Sequence, residues 1–382
     1  MLRIQRTKFT LPNKGTYLNC AYMSPLLKSV EKAGIQGVLR KRNPLNTAPA
    51  DFFSETELLR RLFAQLIGCP EPQRVVVIPS VSYGMANVLA NISLKQGDEI
   101  VVASEQFPSN VYPWQRLCQD RGGKVVAVAP PSAEAKRGEH WNERILHAIG
   151  TRTKVVALGH VHWADGTRFH LQAIRKRTRE VGALLIIDGT QSVGAMPFSW
   201  TEIEPDALIC AGYKWLMGPY SFGLACYGPY FDNGVPIEEN WINRKFSEDF
   251  TGLVNYQSDY QPGALRYEVG EHSNFVLTPM MVAALQQVLA WQPERVQTYC
   301  ERISEGAIRA LREHHFWIEE HDRGHHLFGI RLPKHKDLNR ARQALQQAAI
   351  HVSFRGDCIR VAPHLYNSAA DLNRLAKLLI QS

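Results

Sequence analysis

The stretch that decides the fold reads Leu184-Leu185-Ile186-Ile187-Asp188-Gly189-Thr190-Gln191. Four aliphatic residues in a row, without alternation, describe a strand buried on both faces. The run ends in an acid. Ligands of open α/β sheets sit at the carboxyl ends of strands, so Asp188 either points into a crevice or caps the next turn. Working outward, similar short runs occur at residues 74–78, 99–103, 124–128, 154–158, 207–210 and 222–227. Helical patterns lie between most of them, at 84–90, 110–121, 142–149 and 171–181. This alternation predicts an α/β fold with a mostly parallel, seven-stranded sheet. The large domain is placed at residues 16–275, behind an N-terminal arm of residues 1–15.

Residues 230–273 change character, being rich in Asn, Glu, Tyr and Gly with little periodicity. Long irregular loops in compact proteins are usually functional. Helices are expected at 279–291 and 294–314, then a strand at 327–332 and a helix at 336–348. Strands near 351–354 and 358–361 and a last helix at 369–381 complete the pattern. Residues 276–382 thus form a smaller C-terminal α+β domain.

Composition narrows the class. The 382 residues are 45% hydrophobic and 21% charged, as in ordinary globular proteins. No apolar run approaches the ~18 residues of a membrane span. The basic N-terminus has no apolar segment behind it, so no secretory leader is expected. Seven cysteines are scattered with no C-x-x-C pair. That excludes a metal-ligand or disulfide spacing and fits the reducing cytoplasm. The formal charge of +8 raises a nucleic-acid reading. The basic residues are dispersed, however, apart from Arg40-Lys41-Arg42 and Arg175-Lys176-Arg177, both on or beside helical patterns. An anionic small molecule or cofactor is the expected partner, with no nucleic acid and no membrane.

The second chemical feature is Ala211-Gly212-Tyr213-Lys214-Trp215-Leu216-Met217-Gly218-Pro219. A Lys after a buried strand, among apolar and aromatic neighbours, either snorkels outward or is held in a pocket. In the latter case burial lowers its pKa and makes it a nucleophilic amine. Pyridoxal phosphate requires such a Lys for a Schiff base and an acid for its ring nitrogen. Asp188 ends one strand and Lys214 follows another.

With these residues the chain resembles the class V aminotransferase family of fold type I pyridoxal-phosphate enzymes. The group includes cysteine desulfurases, kynureninase and isopenicillin N epimerase. Asp188, Gln191, Gly194, Ala195, Tyr213, Lys214, Gly218 and Pro219 match its pattern in order and spacing. The resemblance implies pyridoxal 5'-phosphate as cofactor, with Lys214 and Asp188 catalytic. It places the cofactor phosphate at Pro79-Ser80-Val81-Ser82-Tyr83-Gly84, where Val81 and Ser82 open a helix. Phe107 stands where the family stacks a ring on the pyridine, a position that is usually His in desulfurases. Trp163 replaces the Asn that usually bonds the ring hydroxyl, leaving that bond to Gln191. Tyr213 replaces a His and can offer its hydroxyl to the phosphate.

For the substrate, the resemblance assigns the carboxylate to Arg360, with Arg355 as the alternative. It places Asn19 and Tyr22 on the substrate side. Ser273 is the nearest hydroxyl in the segment that reaches the neighbouring subunit's phosphate site, which implies a homodimer with a shared active site. No metal is expected. The expected activity is that of an enzyme on a small-molecule amino-acid substrate, with transamination leading because it needs no residue beyond these. Kynureninase-like or epimerase chemistry is compatible. Cysteine desulfurase ranks lower, because Cys358 lies in an expected strand and Phe107 replaces His. A cofactor-binding regulator is the non-enzyme alternative.

Overall fold

The computed structural model describes residues 2–12, 14–132 and 136–382. Its centre is a seven-stranded sheet built from β2 (Val75–Ile78), β3 (Glu99–Ala103), β4 (Lys124–Val128), β5 (Thr153–Gly159), β6 (Leu184–Asp188), β7 (Ala207–Ala211) and β8 (Gly223–Tyr227). The order is β2-β8-β7-β6-β5-β3-β4. The strands β4, β3, β5, β6 and β7 run parallel, whereas β8 is antiparallel to both β7 and β2. This is the α/β fold with a mostly parallel sheet expected from the sequence. Strands β2, β7 and β8 are buried along their whole length, which is why they read as unbroken apolar runs.

Helices α3 (Val81–Ala90), α4 (Tyr112–Arg121), α5 (Arg137–Ala148), α6 (Leu171–Val181) and the short α7 (Trp200–Ile203) connect the strands. Ahead of them lie two helices to which the sequence-based pattern gave no bounds, α1 (Lys28–Arg40), which ends at the Arg40-Lys41-Arg42 cluster read as helical, and α2 (Ser54–Ile67). The buried face of α1 carries Val30, Gly34 and Gly37, residues too small to mark an amphipathic stripe. A Cβ at Gly37 would lie 2.2 Å from the Phe275 carbonyl, so the small residue allows close packing near α8 (Leu277–Trp291).

Helix α9 (Pro293–Glu313) follows, then β9 (Phe328–Arg331), α10 (Leu338–Gln347), β10 (Ile350–His351), β11 (Ser353–Arg355), β12 (Cys358–Val361) and α11 (Ala369–Gln381). Strands β11, β12 and β9 form an antiparallel sheet. Strand β1 (Thr16–Tyr17) pairs with β10, so the chain's beginning joins its end across the boundary drawn at residue 275. We keep the division into residues 16–275 and 276–382 as a proposal. Residues 230–273 hold short 3-10 turns at Pro229–Phe231 and Gly263–Tyr267 and an isolated bridge between Arg244 and Tyr260. A buried ion pair, Arg60 with Glu268, ties this segment to α2, and Glu268 also accepts the Val77 N–H at 2.7 Å.

Candidate active site

Strand β6 delivers Asp188, and the turn after β7 delivers Lys214, to the carboxyl edge of the sheet. Between them, Gly194 holds φ at +99°, and a Cβ there would lie 2.4 Å from the Trp215 carbonyl. Only glycine lets the loop after β6 approach the lysine loop so closely. The resulting cavity of about 350 Å³ is lined by Val81, Ser82, Phe107, Trp163, Asp188, Gln191, Tyr213 and Lys214, all named from the sequence. That volume suits a small ligand.

Lys214 is buried, and its Nζ makes no hydrogen bond or ion pair among the described residues. Burial pushes its pKa down to about 8, with Arg360 and Arg355 contributing and Asp188 opposing. Burial raises the Asp188 carboxyl, while Thr190 and Lys214 pull it back. Asp188 Oδ1 accepts the Thr190 N–H at 2.9 Å, the Thr190 side chain also favours the charged carboxylate, and the carboxylate lines the cavity. The acid therefore does cap its own turn and still faces the cavity.

At the opposite end of the cavity, Ser80 is the N-cap of α3 and accepts the Tyr83 N–H at 3.2 Å. The next two residues, Val81 and Ser82, line the cavity, and their first-turn N–H groups have no intrahelical acceptor. Phe107 is 37% exposed, too open for a core residue, and meets Trp163 edge-to-face at 5.4 Å. Lys214 Nζ lies 5.4 Å from the Phe107 ring centroid and 5.4 Å from that of Tyr213.

Other expected residues differ in detail. Trp163 turns its Nε1–H away from a ligand role, donating to the Glu105 carbonyl at 2.6 Å. Gln191 accepts from Trp215 Nε1 at 3.0 Å and donates to the Ala21 carbonyl at 3.1 Å, leaving one amide hydrogen. Arg360 lies behind Trp163, not on the cavity wall, and is 1% exposed. Asn19 does not line the cavity either; its Oδ1 accepts from Ser353 Oγ at 2.8 Å, and Ser353 Oγ accepts from Arg360 Nη2 at 3.3 Å. Tyr22 is exposed, and its phenol lies in the electrostatic neighbourhood of Arg355. Ser273 is buried away from its own chain's cavity. The lining also includes Gln106, Ser109, Thr190 and Tyr220, which the sequence reading missed. Gln106 was legible only as a polar residue after β3; its bonds to Asn110, Ala157 and Gly159 exist only in the folded chain.

A family model, aminotransferase class-V, matches residues 40–234, just over half of the chain. The chain belongs to the class-V aminotransferase family. Membership makes it a pyridoxal-phosphate-dependent enzyme. The cavity fits that cofactor on three counts: an unpartnered amine, a carboxylate on its wall and free N–H groups at a helix start. These could hold an aldehyde carbon, a ring nitrogen and a phosphate.

Among relatives of this family member, a probable cysteine desulfurase of Vibrio cholerae is 28% identical over 52% of this chain and 50% of its own length. The chain thus matches only about half of that relative. An uncharacterized aminotransferase, YcbU, of Bacillus subtilis is 24% identical over 83% of this chain and 81% of its own. Among solved structures, the cystine C-S lyase C-DES in complex with its reaction product cysteine persulfide superposes with a TM-score of 0.85. It is 20% identical, over 96% of this chain and 98% of its own. That likeness shows the fold.

Proposed function

We propose that this chain is a carbon–sulfur lyase acting on a cysteine-derived amino acid and releasing the sulfur as a free thiolate or persulfide. The observation that carries the reading is the burial of all seven cysteines, none of which lines the cavity. Cys358 is 1% exposed within β12. A relative named as a probable desulfurase and a structural neighbour named as a C-S lyase support sulfur chemistry. The lack of an accessible thiol at the cavity favours the version in which no protein cysteine accepts sulfur. This ranks sulfur chemistry above the transamination expected from the sequence.

When bound, pyridoxal phosphate supplies an electron sink for negative charge at the substrate α-carbon. In this reading Lys214 Nζ anchors the cofactor, then takes the α-proton as a neutral amine, helped by its lowered pKa. Asp188 holds a proton at the ring nitrogen. The N–H groups of Val81 and Ser82 would hold the phosphate, with the Tyr213 hydroxyl available to it, and Phe107 would offer a face to the ring. Arg360, behind Trp163, would supply the positive charge that draws the α-carboxylate to that side of the cavity. The electron pair left at Cα forms a Cα–Cβ double bond as the Cβ–S bond breaks, and sulfur leaves with its pair. The three-carbon remainder takes up water and departs as pyruvate and ammonia.

Transamination is the second reading, favoured by the match to YcbU along most of both chains. Product analysis separates them. Incubation with cystine and cysteine, without a keto acid, should give pyruvate and sulfide or persulfide. A new amino acid formed only when a keto acid is added, with no pyruvate from the sulfur substrates, would overturn the lyase reading.

We also propose a homodimer in the cytoplasm. Exposed Tyr22, Leu26 and Tyr220 near the cavity support the first, and seven unpaired thiols the second. In that assembly Ser273 would serve the partner's phosphate site.

A further inference from the structure

We infer that the substrate carries two carboxylates, the α-carboxylate held by Arg360 and a distal one held by Arg355. The inference rests on the reading of this cavity as an amino-acid site and names the class of amino acid it takes.

The argument begins with strand register. Ser353 of β11 faces Arg360 of β12, and Arg355 faces Cys358. Side chains alternate along a strand, so Ser353, Arg355, Cys358 and Arg360 share one face of this hairpin. Arg355 and Arg360 occupy diagonal positions, which lie about 7–8 Å apart in antiparallel pairs. Trp163 is common to both: their guanidinium carbons lie 5.0 Å and 6.0 Å from its ring centroid. Trp163 also meets Phe107 edge-to-face, beside Lys214.

Neither guanidinium is neutralised. Arg360 donates Nη1–H to the Trp163 carbonyl at 2.8 Å and Nη2–H to Ser353, and its buried Nε has no partner among the described residues. Arg355 donates Nη1–H to the Phe354 carbonyl at 2.8 Å, and its Nε is likewise unpartnered. No carboxylate among the described residues forms an ion pair with either. Arg360 differs in this from the other fully buried arginines: Arg60 has Glu268, and Arg137 has Asp165 at 2.7 Å. Arg360 is withdrawn from water without an anion, and the half-buried Arg355 beside it adds a second like charge, an arrangement that is costly. A bound anion removes that cost.

One carboxylate can engage one guanidinium fork. A substrate with a single carboxylate therefore leaves the second cation unanswered, whereas an amino acid with a distal carboxylate satisfies both. Cystine and S-(carboxyalkyl)cysteines have this form, with the second carboxylate beyond the scissile sulfur. The lowered pKa of Lys214 is consistent with both cations reaching the same site, since both contribute to it.

The test compares two disulfides on the holoenzyme: L-cystine, and the mixed disulfide of L-cysteine with cysteamine, which lacks only the distal carboxylate. The native protein should process cystine with a kcat/KM at least tenfold higher, measured as pyruvate release. Arg355→Gln should bring that ratio close to one, and Arg355→Lys to an intermediate value. Because the ratio is taken on one protein, partial loss of folded enzyme cancels. A native ratio near one, or a ratio unaffected by Arg355→Gln, would overturn the inference.

A calorimetric arm, independent of turnover, titrates the holoenzyme with straight-chain dicarboxylic acids from succinate to suberate and with the matching monoacids. At least one dicarboxylate should bind tenfold tighter than its monoacid, and Arg355→Gln should abolish that difference. If neither disulfide yields pyruvate but this preference holds, the lyase reading fails and the two-carboxylate inference survives. If pyruvate forms but neither assay shows a preference, the inference fails and the lyase reading survives.

Discussion

The Arg360 guanidinium donates to the backbone carbonyl of Trp163 at 2.8 Å, so the residue that walls the cavity also aims the arginine behind it. Ser353 fixes the other Nη group, and Asn19 in turn orients Ser353. The arginine is thus locked in position before any substrate arrives, with its Nε unpartnered.

Arg360→Lys keeps the charge but loses the fork and the Trp163 contact. Losing one side of a buried charged pair typically costs about 2–5 kcal/mol in binding. Steady-state kinetics should therefore show kcat/KM falling more than tenfold, which is roughly 1.4 kcal/mol. The absorbance of the resting holoenzyme should stay unchanged, since Lys214 is intact. Native turnover in this variant would remove Arg360 from substrate binding.

Lys214→Ala should abolish turnover and the visible absorbance of covalently attached cofactor while leaving the far-ultraviolet circular dichroism native. The side chain bears no hydrogen bond that the fold depends on. Borohydride trapping followed by peptide mass mapping should label Lys214 in the parent protein and nothing in the variant. Retained activity would sink the assignment.

The pH profile follows from the Lys214 amine. Its folded pKa is lowered to about 8, below the ordinary lysine value of 10.5. Below pH 8 the group is an ammonium and cannot attack an aldehyde; above it the amine is free. The rate at which cofactor-free protein captures pyridoxal phosphate should thus rise with pH through a midpoint near 8. The stability sign agrees: burying this group costs stability below pH 8, and the cost fades as pH climbs toward 10.5. A capture midpoint near 10.5 would contradict the burial argument.

Asp188→Asn preserves an acceptor for the Thr190 N–H but removes the anion. Two results are expected. Exchange of the substrate α-hydrogen for deuterium, followed by NMR, should slow by about 100-fold or more, the range typical of lost acid–base assistance. The capture midpoint of Lys214 should also move downward, because Asp188 is the group holding it up. Unchanged exchange would mean that the acid does not govern the ring nitrogen.

Glu268→Ala leaves Arg60 buried on α2 with only the half-exposed Glu57 as partner, and frees the Val77 N–H. Breaking a buried pair from one side costs about 3–5 kcal/mol. Denaturant unfolding should show a loss of that order. The double variant Arg60→Met, Glu268→Leu should recover much of it, since no charge is then stranded.

The sequence by itself determined the sheet, and with it the placement of Asp188 and Lys214. Each strand buried on both faces is written as a local aliphatic run, and each catalytic candidate is read from the few residues around it. The first helix showed only at its basic end, Arg40-Lys41-Arg42, because it meets its neighbours through Gly34 and Gly37, and glycine carries no periodic signal. Only the tertiary structure decided what depends on distant partners. Glu268 meets Arg60 across 208 positions, and Trp215 takes the oxygen of Gln191, the residue expected to bond the ring hydroxyl. Asn19, read as a substrate contact, became a support for Ser353 334 positions away. Arg355 and Arg360 looked like alternatives for one role, since two arginines five residues apart give no distances. The hairpin register put both on one face against Trp163, because strand pairing and not chain order sets which side chains converge.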